Sequence, residues 1–162
     1  MSDNQHIGHG TKQRDVIRMS PEEVDAFLQG RHSMTMSTIS GDGTIHSVAM
    51  WYGFVDGAIG FETKAKAQKV LNLRRNPNIT CLVEDGETYE TLRGVSLVGT
   101  AEIIEDADQL FELGKSVFSR YMVPYTEEMR PAVEMMLVKR VLVKVHVNKT
   151  VTWDHRKLGL GR

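Results

Sequence analysis

One cysteine, Cys81, stands in a chain of 162 residues, so no disulfide can form within it. It sits in the apolar run Ile79-Thr80-Cys81-Leu82-Val83, which predicts a buried structural thiol rather than a nucleophile. No apolar run reaches the roughly 20 residues that a membrane helix needs, and no apolar leader opens the chain, so the cytoplasm is the expected compartment. Neither sign of charge dominates. Twenty basic residues against 21 acidic ones give a net charge of -1, which argues against a nucleic-acid binder, since such domains are basic overall. The six histidines, at 6, 9, 32, 46, 146 and 155, show neither His-Glu-x-x-His nor paired-cysteine spacing, and no metal is expected. Also missing are a Gly-x-Ser-x-Gly elbow, a Gly-x-x-x-x-Gly-Lys-Ser/Thr loop and a Gly-x-Gly-x-x-Gly turn between strand and helix. Hydrolase and nucleotide-fold chemistry fall away with them.

What is there fits one core. A hydrophobic content of 41% over this length predicts a single domain over 20–162, preceded by a polar, aperiodic and flexible arm over 1–19. Ser20-Pro21-Glu22-Glu23 combines a capping hydroxyl, proline at the first helical position and glutamate three residues after the cap, so a helix starts there and ends near Gly30. Strand signals follow over 34–39, 44–54 and 58–63, with Asp56-Gly57 as a tight hairpin turn. Further strands are expected over 79–84, 89–104 and 141–147, with Gly94 and Gly99 marking bulges or bends. Helical patterns cover about 66–75, 106–121 and 126–138, with Pro131 demanding either an early helix position or a kink. Six antiparallel strands with helices at the rim predict a mainly β fold, a small Greek-key barrel.

The segment from Phe61 to Pro77 carries the functional signal. Between Thr63 and Val83 lie five basic side chains and no acidic one, at a junction where a strand ends and a helix opens. Unpaired N–H groups at a helix start, with lysines beside them, make a seat for a phosphate. A solvated basic helix face, or a patch touching nucleic acid nonspecifically, would carry the same charge.

This pattern resembles the strand-to-helix junction of the pyridoxamine-phosphate-oxidase-like split-barrel flavoproteins, on the residues Lys69, Leu71-Asn72-Leu73-Arg74-Arg75 and Asn76-Pro77. The resemblance runs over about 33–153. Its nearest branch is the actinobacterial one that uses the deazaflavin coenzyme F-420. It implies a six-stranded FMN-binding-type split barrel that works as a homodimer, with the cofactor at the subunit interface and a small molecule as substrate. By the same resemblance, Ser47, Val48, Ala49, Met50 and Trp51 lay their backbone along the cofactor ring. Glu62, Thr63, Lys64, Gln68 and Lys69 hold its phosphate. Leu92, Arg93, Gly94 and Trp153 reach it from the other subunit. Lys64 and Lys66 would complement the oligoglutamate tail of the deazaflavin, because charge-assisted hydrogen bonds are about twice as strong as neutral ones.

Each of these positions also has an ordinary reading. Ser47, Val48 and Ala49 suit a plain barrel wall, and Arg93 suits a surface ion pair worth about 0–1 kcal/mol. The implied activity is hydride transfer from the reduced deazaflavin to an electron-poor organic acceptor, with the chemistry supplied by the cofactor. FMN is the alternative cofactor. A noncatalytic module holding a flavin, haem or other tetrapyrrole would need the same anion seat. Tyr52 and His46 are candidate proton donors, although packing against a barrel wall accounts for Tyr52 and a surface position for His46 equally well. The N-terminal arm, the loop over 120–128 and the partner chain would line the substrate pocket. The Arg-x-His-Asp-Arg ending by which pyridoxamine-phosphate oxidases grip their substrate is replaced here by Trp153-Asp154-His155-Arg156, so vitamin oxidation is not expected.

Overall fold

The computed structural model describes residues 12–159. The first eleven residues of the expected arm, with His6 and His9, lie outside the described residues. The rest of that arm is docked. A short helix α1, Gln13–Val16, leads to Ile17, whose carbonyl accepts the Asp154 amide at 2.7 Å, and to Met19, which is buried. The next helix, α2, Pro21–Gln29, starts with the capping box read from sequence. Ser20 accepts from the Glu23 amide, and the Glu23 carboxylate accepts from the Ser20 amide at 2.7 Å.

Seven strands follow rather than six: β1 Met34–Ile39, β2 Ile45–Met50, β3 Gly53–Val55, β4 Ala58–Lys64, β5 Asn78–Asp85, β6 Arg93–Ile104 and β7 Arg140–Asp154. The extra strand comes from the expected strand over 44–54, which breaks at Trp51-Tyr52. Its two halves pair with different partners, β2 with β1 and β3 with β4. All seven form one antiparallel sheet in the order β2-β1-β5-β6-β7-β4-β3. The strands at its two edges are therefore joined by two residues of chain, a span of at most about 11 Å between Met50 and Gly53. A sheet whose edges meet this closely must curl on itself, and this makes the split barrel.

The hairpin between β3 and β4 turns at Asp56 (φ 50°) and Gly57 (φ 74°), the left-handed pair that a tight turn requires. A bulge sits in the longest pairing. Gly99 faces Val147 and Val98 faces Lys149, which leaves Asn148 as the extra residue on β7. A side chain at Gly99 would collide with the His146 carbonyl, so only glycine permits this approach. β6 starts at Arg93, not at 89, and β7 continues seven residues past the expected end at 147.

Met34, Met36, Phe61, Val83, Val95 and Val143 fill the barrel. Cys81 belongs to this core, and burial pushes its thiol up to about 12. A second cluster lies beneath the helices α4, Ala107–Tyr121, and α5, Arg130–Met136. Pro131 stands in the first turn of α5, where its missing N–H costs nothing. Helix α4 also covers the β3 edge, where the Phe54 amide donates to Ser116 Oγ at 3.0 Å. Among the described residues no helix is long and apolar enough to cross a membrane.

Candidate cofactor site

Helix α3, Gln68–Arg75, opens directly after β4, and its capping residue, Ala67, offers no side-chain acceptor. The first amides of the helix are thus left for another partner. Lys69, in the first turn, turns back to β4 and donates to Thr63 Oγ1 at 3.3 Å. Thr63 is 3% exposed, so the contact lies at the bottom of the junction. No carboxylate of the described residues pairs with Lys69. Burial lowers the pKa of its ammonium, and the nearby Arg140 guanidinium lowers it further. A half-buried cation beside another cation at an uncapped helix start is an arrangement that favours an anion.

Arg140 is the residue that the sequence reading missed. It starts β7 opposite Lys64, and its guanidinium donates to Glu62 at 2.8 Å. Glu62 is thereby paired with Arg140: burial raises its pKa and Arg140 pulls against that rise. The available signal was the basic pair Lys139-Arg140 at the head of an apolar strand. Lys64 and Lys66 are exposed, with no carboxylate partner among the described residues.

A polar relay ties this junction to β2. Gln68 donates to Asn72 at 2.8 Å, and Asn72, fully buried, donates to Thr38 at 3.0 Å. Thr38 pairs across the sheet with His46 of β2. β2 has a strand partner on one side only, so alternate N–H and C=O groups along Ser47, Val48, Ala49 and Met50 face no strand. The Ser47 hydroxyl is shared with Ser37 at 2.7 Å, whereas Val48 and Met50 turn inward onto the barrel core. Beyond Met50 the Trp51 ring stacks on Tyr121, with centroids 4.7 Å apart and planes 6° from parallel, and remains 49% exposed. Tyr121 is fixed from below, since its hydroxyl donates to the His32 carbonyl at 2.6 Å.

Tyr52 is not a proton donor to substrate. Its ring is fully buried, its hydroxyl donates to the Leu28 carbonyl at 2.8 Å, and burial pushes its pKa up to about 12. The strand break at 51–52 turns Trp51 outward and Tyr52 into the core.

Leu92, Arg93, Gly94 and Trp153 lie elsewhere. Arg93 donates twice to Asp85, at 2.7 and 3.1 Å, and lies over the Phe27 ring. This is the ion pair of the ordinary reading. Gly94 faces Trp153 across the β6–β7 ladder, and a side chain there would strike the indole. Leu92 accepts the His155 amide through its carbonyl at 2.9 Å. Trp153 is 13 residues along β7 from Arg140, about 40 Å at the rise of a strand. Within one chain the two groups cannot meet around one small cofactor.

A family model described as pyridoxamine 5'-phosphate oxidase matches residues 20–154. The chain belongs to this family of flavin-binding split barrels. None of the curated proteins matches it. Among solved structures, the conserved hypothetical protein Rv2991 from Mycobacterium tuberculosis is 51% identical over 94% of this chain and 95% of its own, with a TM-score of 0.89. An F420 reductase is 28% identical over 81% of this chain and 98% of its own, with a TM-score of 0.61. HutZ, the heme storage protein of Vibrio cholerae, shares the fold at 15% identity over 84% of this chain and 96% of its own, with a TM-score of 0.64.

Proposed function

We propose that this family member is an oxidoreductase that binds coenzyme F-420 and passes a hydride from it to a small electron-poor organic acceptor. The observation that carries the reading is Lys69, a half-buried cation without a carboxylate, at the uncapped start of α3 and beside Arg140. The similarity to an F420 reductase over 81% of the chain supports the choice of deazaflavin over FMN. So do Lys64 and Lys66, exposed cations placed to meet the carboxylates of an oligoglutamate tail.

When bound, the deazaflavin supplies the hydride chemistry. The chain's own groups bind and orient. Lys69, Thr63 and the first amides of α3 hold the phosphate. The free edge of β2 offers backbone N–H groups to ring carbonyls. The Trp51–Tyr121 stack walls the site with a flat apolar surface. His46 is the one titratable side chain of β2, and with water it is the remaining proton source.

The cofactor sits between two copies in this reading. On the outer sheet face, Ile39, Ile45 and Val98 are 37%, 69% and 39% exposed around a groove of 240 Å³. An apolar face of this kind suits a two-fold partner. The same partner would bring a second Arg93 and Trp153 to the α3 rim of the first chain. Ile45→Glu combined with Val98→Glu is expected to give a monomer by light scattering and to abolish cofactor binding. A monomer that binds as well as the wild type would remove the shared site.

The function is tested by titrating the purified protein with F-420 and with FMN, following quenching of Trp51 and Trp153, then supplying the reduced coenzyme with quinone and nitroarene acceptors. Tight F-420 binding with turnover is the expected result. Preference for FMN would place the protein among flavin oxidoreductases, and binding without turnover would make it a carrier. No binding of either would sink the site itself.

A further inference from the structure

A groove of 620 Å³ lies between the N-terminal segment and the last third of β7, away from the α3 rim. Its position on the strand, at 149–152, is nine or more residues from Arg140, about 30 Å of strand. The walls are pinned. The Met19 amide donates to Thr152 Oγ1 at 2.9 Å, the Asp154 amide to the Ile17 carbonyl at 2.7 Å, and Lys157 Nζ to the Arg18 carbonyl at 2.7 Å. The gap is therefore held open by bonds at its ends.

The lining is divided in chemistry. Met19, Pro21, Val24 and Val151 give an apolar floor, and Arg14, Arg18 and Lys149 bring three cations against one carboxylate, Asp25. Arg18 is shared with Asp15 at 3.3 Å. Arg14 and Lys149 have no carboxylate partner among the described residues. The start of α2 is excluded as the attraction, because its capping box already satisfies its amides. The volume falls within the range of about 300–1,000 Å³ typical of small-molecule sites.

We propose that this groove binds an amphipathic organic monoanion, a ring or short acyl body carrying one carboxylate or sulfonate. The body lies on Met19, Pro21, Val24 and Val151, and the anionic group meets Arg14 and Lys149. Asp25 on the same wall opposes a second negative charge, which favours monoanions over dianions. The groove uses none of the α3 residues, but Lys149 stands opposite Val98 on the sheet, so the cofactor titrations below separate it from the interface site.

The test is a fluorescence titration of the full chain with 1-anilinonaphthalene-8-sulfonate, repeated with the uncharged N-phenyl-1-naphthylamine, which has the same ring body. Two variants are compared, Arg14→Gln with Lys149→Gln, and Lys69→Ala. Both groove cations are exposed, so the double variant keeps the fold, which circular dichroism checks. The expected result is saturable binding of one sulfonate per chain with a Kd of about 10–100 μM, the weak range for a small ligand. The double variant and the uncharged probe should each bind about tenfold more weakly, whereas Lys69→Ala and saturating F-420 or FMN should change nothing. Absence of saturable binding would overturn the proposal, as would equal affinity in the double variant. Displacement by either cofactor would do the same and assign the groove to the cofactor site. A failure of the cofactor reading would show instead in the F-420 and FMN titrations alone.

Discussion

Lys69→Ala is expected to weaken cofactor binding by on the order of 10- to 100-fold, because a hydrogen bond to a charged group contributes about 1.5–3 kcal/mol. The fold should not suffer. The ammonium is half-buried, faces Arg140 and has only the Thr63 hydroxyl as a neutral partner, so the free protein keeps it at a cost. Lys69→Met, which keeps an unbranched apolar stem without the charge, should therefore raise the thermal midpoint of the cofactor-free protein while removing binding. Opposite signs in the two assays are the signature of a residue held for its ligand. A fall in both would make Lys69 an ordinary structural lysine.

The pH dependence follows from the same contact. A lysine whose pKa is lowered on folding binds fewer protons when folded, so the unfolded state holds the extra proton and stability rises with pH. The penalty is fully present below the lowered pKa and is relieved as the pH climbs from there toward the ordinary value of 10.5. Cofactor affinity should run the other way and decline over that interval, because the anion needs the charged form. Chemical denaturation and titration at several alkaline pH values check the two slopes, and Lys69→Met should lose both.

The second large effect is expected at Arg120. Its guanidinium donates to the carbonyls of Tyr52, Leu28, Gln29 and Gly30, at 2.9, 3.2, 3.2 and 2.7 Å, and lies 4.5 Å from the centre of the Tyr52 ring. One side chain of α4 thus holds the end of α2 against the start of β3. Arg120→Met removes the main donor to the Tyr52 and Gly30 carbonyls, while the Leu28 carbonyl keeps the Tyr52 hydroxyl. Unpaired buried acceptors cost about 1–3 kcal/mol each, so a loss of about 3 kcal/mol and 6–12 °C in Tm is expected for a chain of this size. Because Tyr121 is the next residue, the Trp51–Tyr121 stack should loosen as well, seen as a red shift in Trp51 emission. A change in Tm below about 2 °C would mean that water replaces the guanidinium without loss.

Much of the candidate site could be read from sequence because its signals are local. The run from Thr63 to Pro77 is a strand end, a helix start and five cations in order, and neither charge nor helix start depends on distant residues. Lys69 accordingly sits where that reading puts it. Arg140 escaped because it meets Lys64 only through the β4–β7 pairing, 76 residues apart in the chain. Tyr52 misled for a related reason. Alternation along an unbroken strand over 44–54 gives no sign that the chain leaves one edge of the sheet at Trp51 and joins the other at Gly53. Only the closure of the barrel decides that Tyr52 turns inward. Arg93 shows the limit from the other side, since its partner Asp85 is eight residues away across a hairpin and nothing in the local pattern chooses between that carboxylate and a ligand.

By itself the sequence determined what period and punctuation determine: the capping box at Ser20, the Asp56-Gly57 turn, the helix over about 106–121, the antiparallel β class and the basic strand-to-helix junction. These are set within a few residues by steric limits, hydrogen-bond geometry and charge. The tertiary structure alone decided the seventh strand, the Glu62–Arg140 pair and the docking of residues 12–19 that leaves a groove beside β7. Each of those depends on which distant segments the closing sheet brings together, and burial against them, rather than local preference, fixes the outcome.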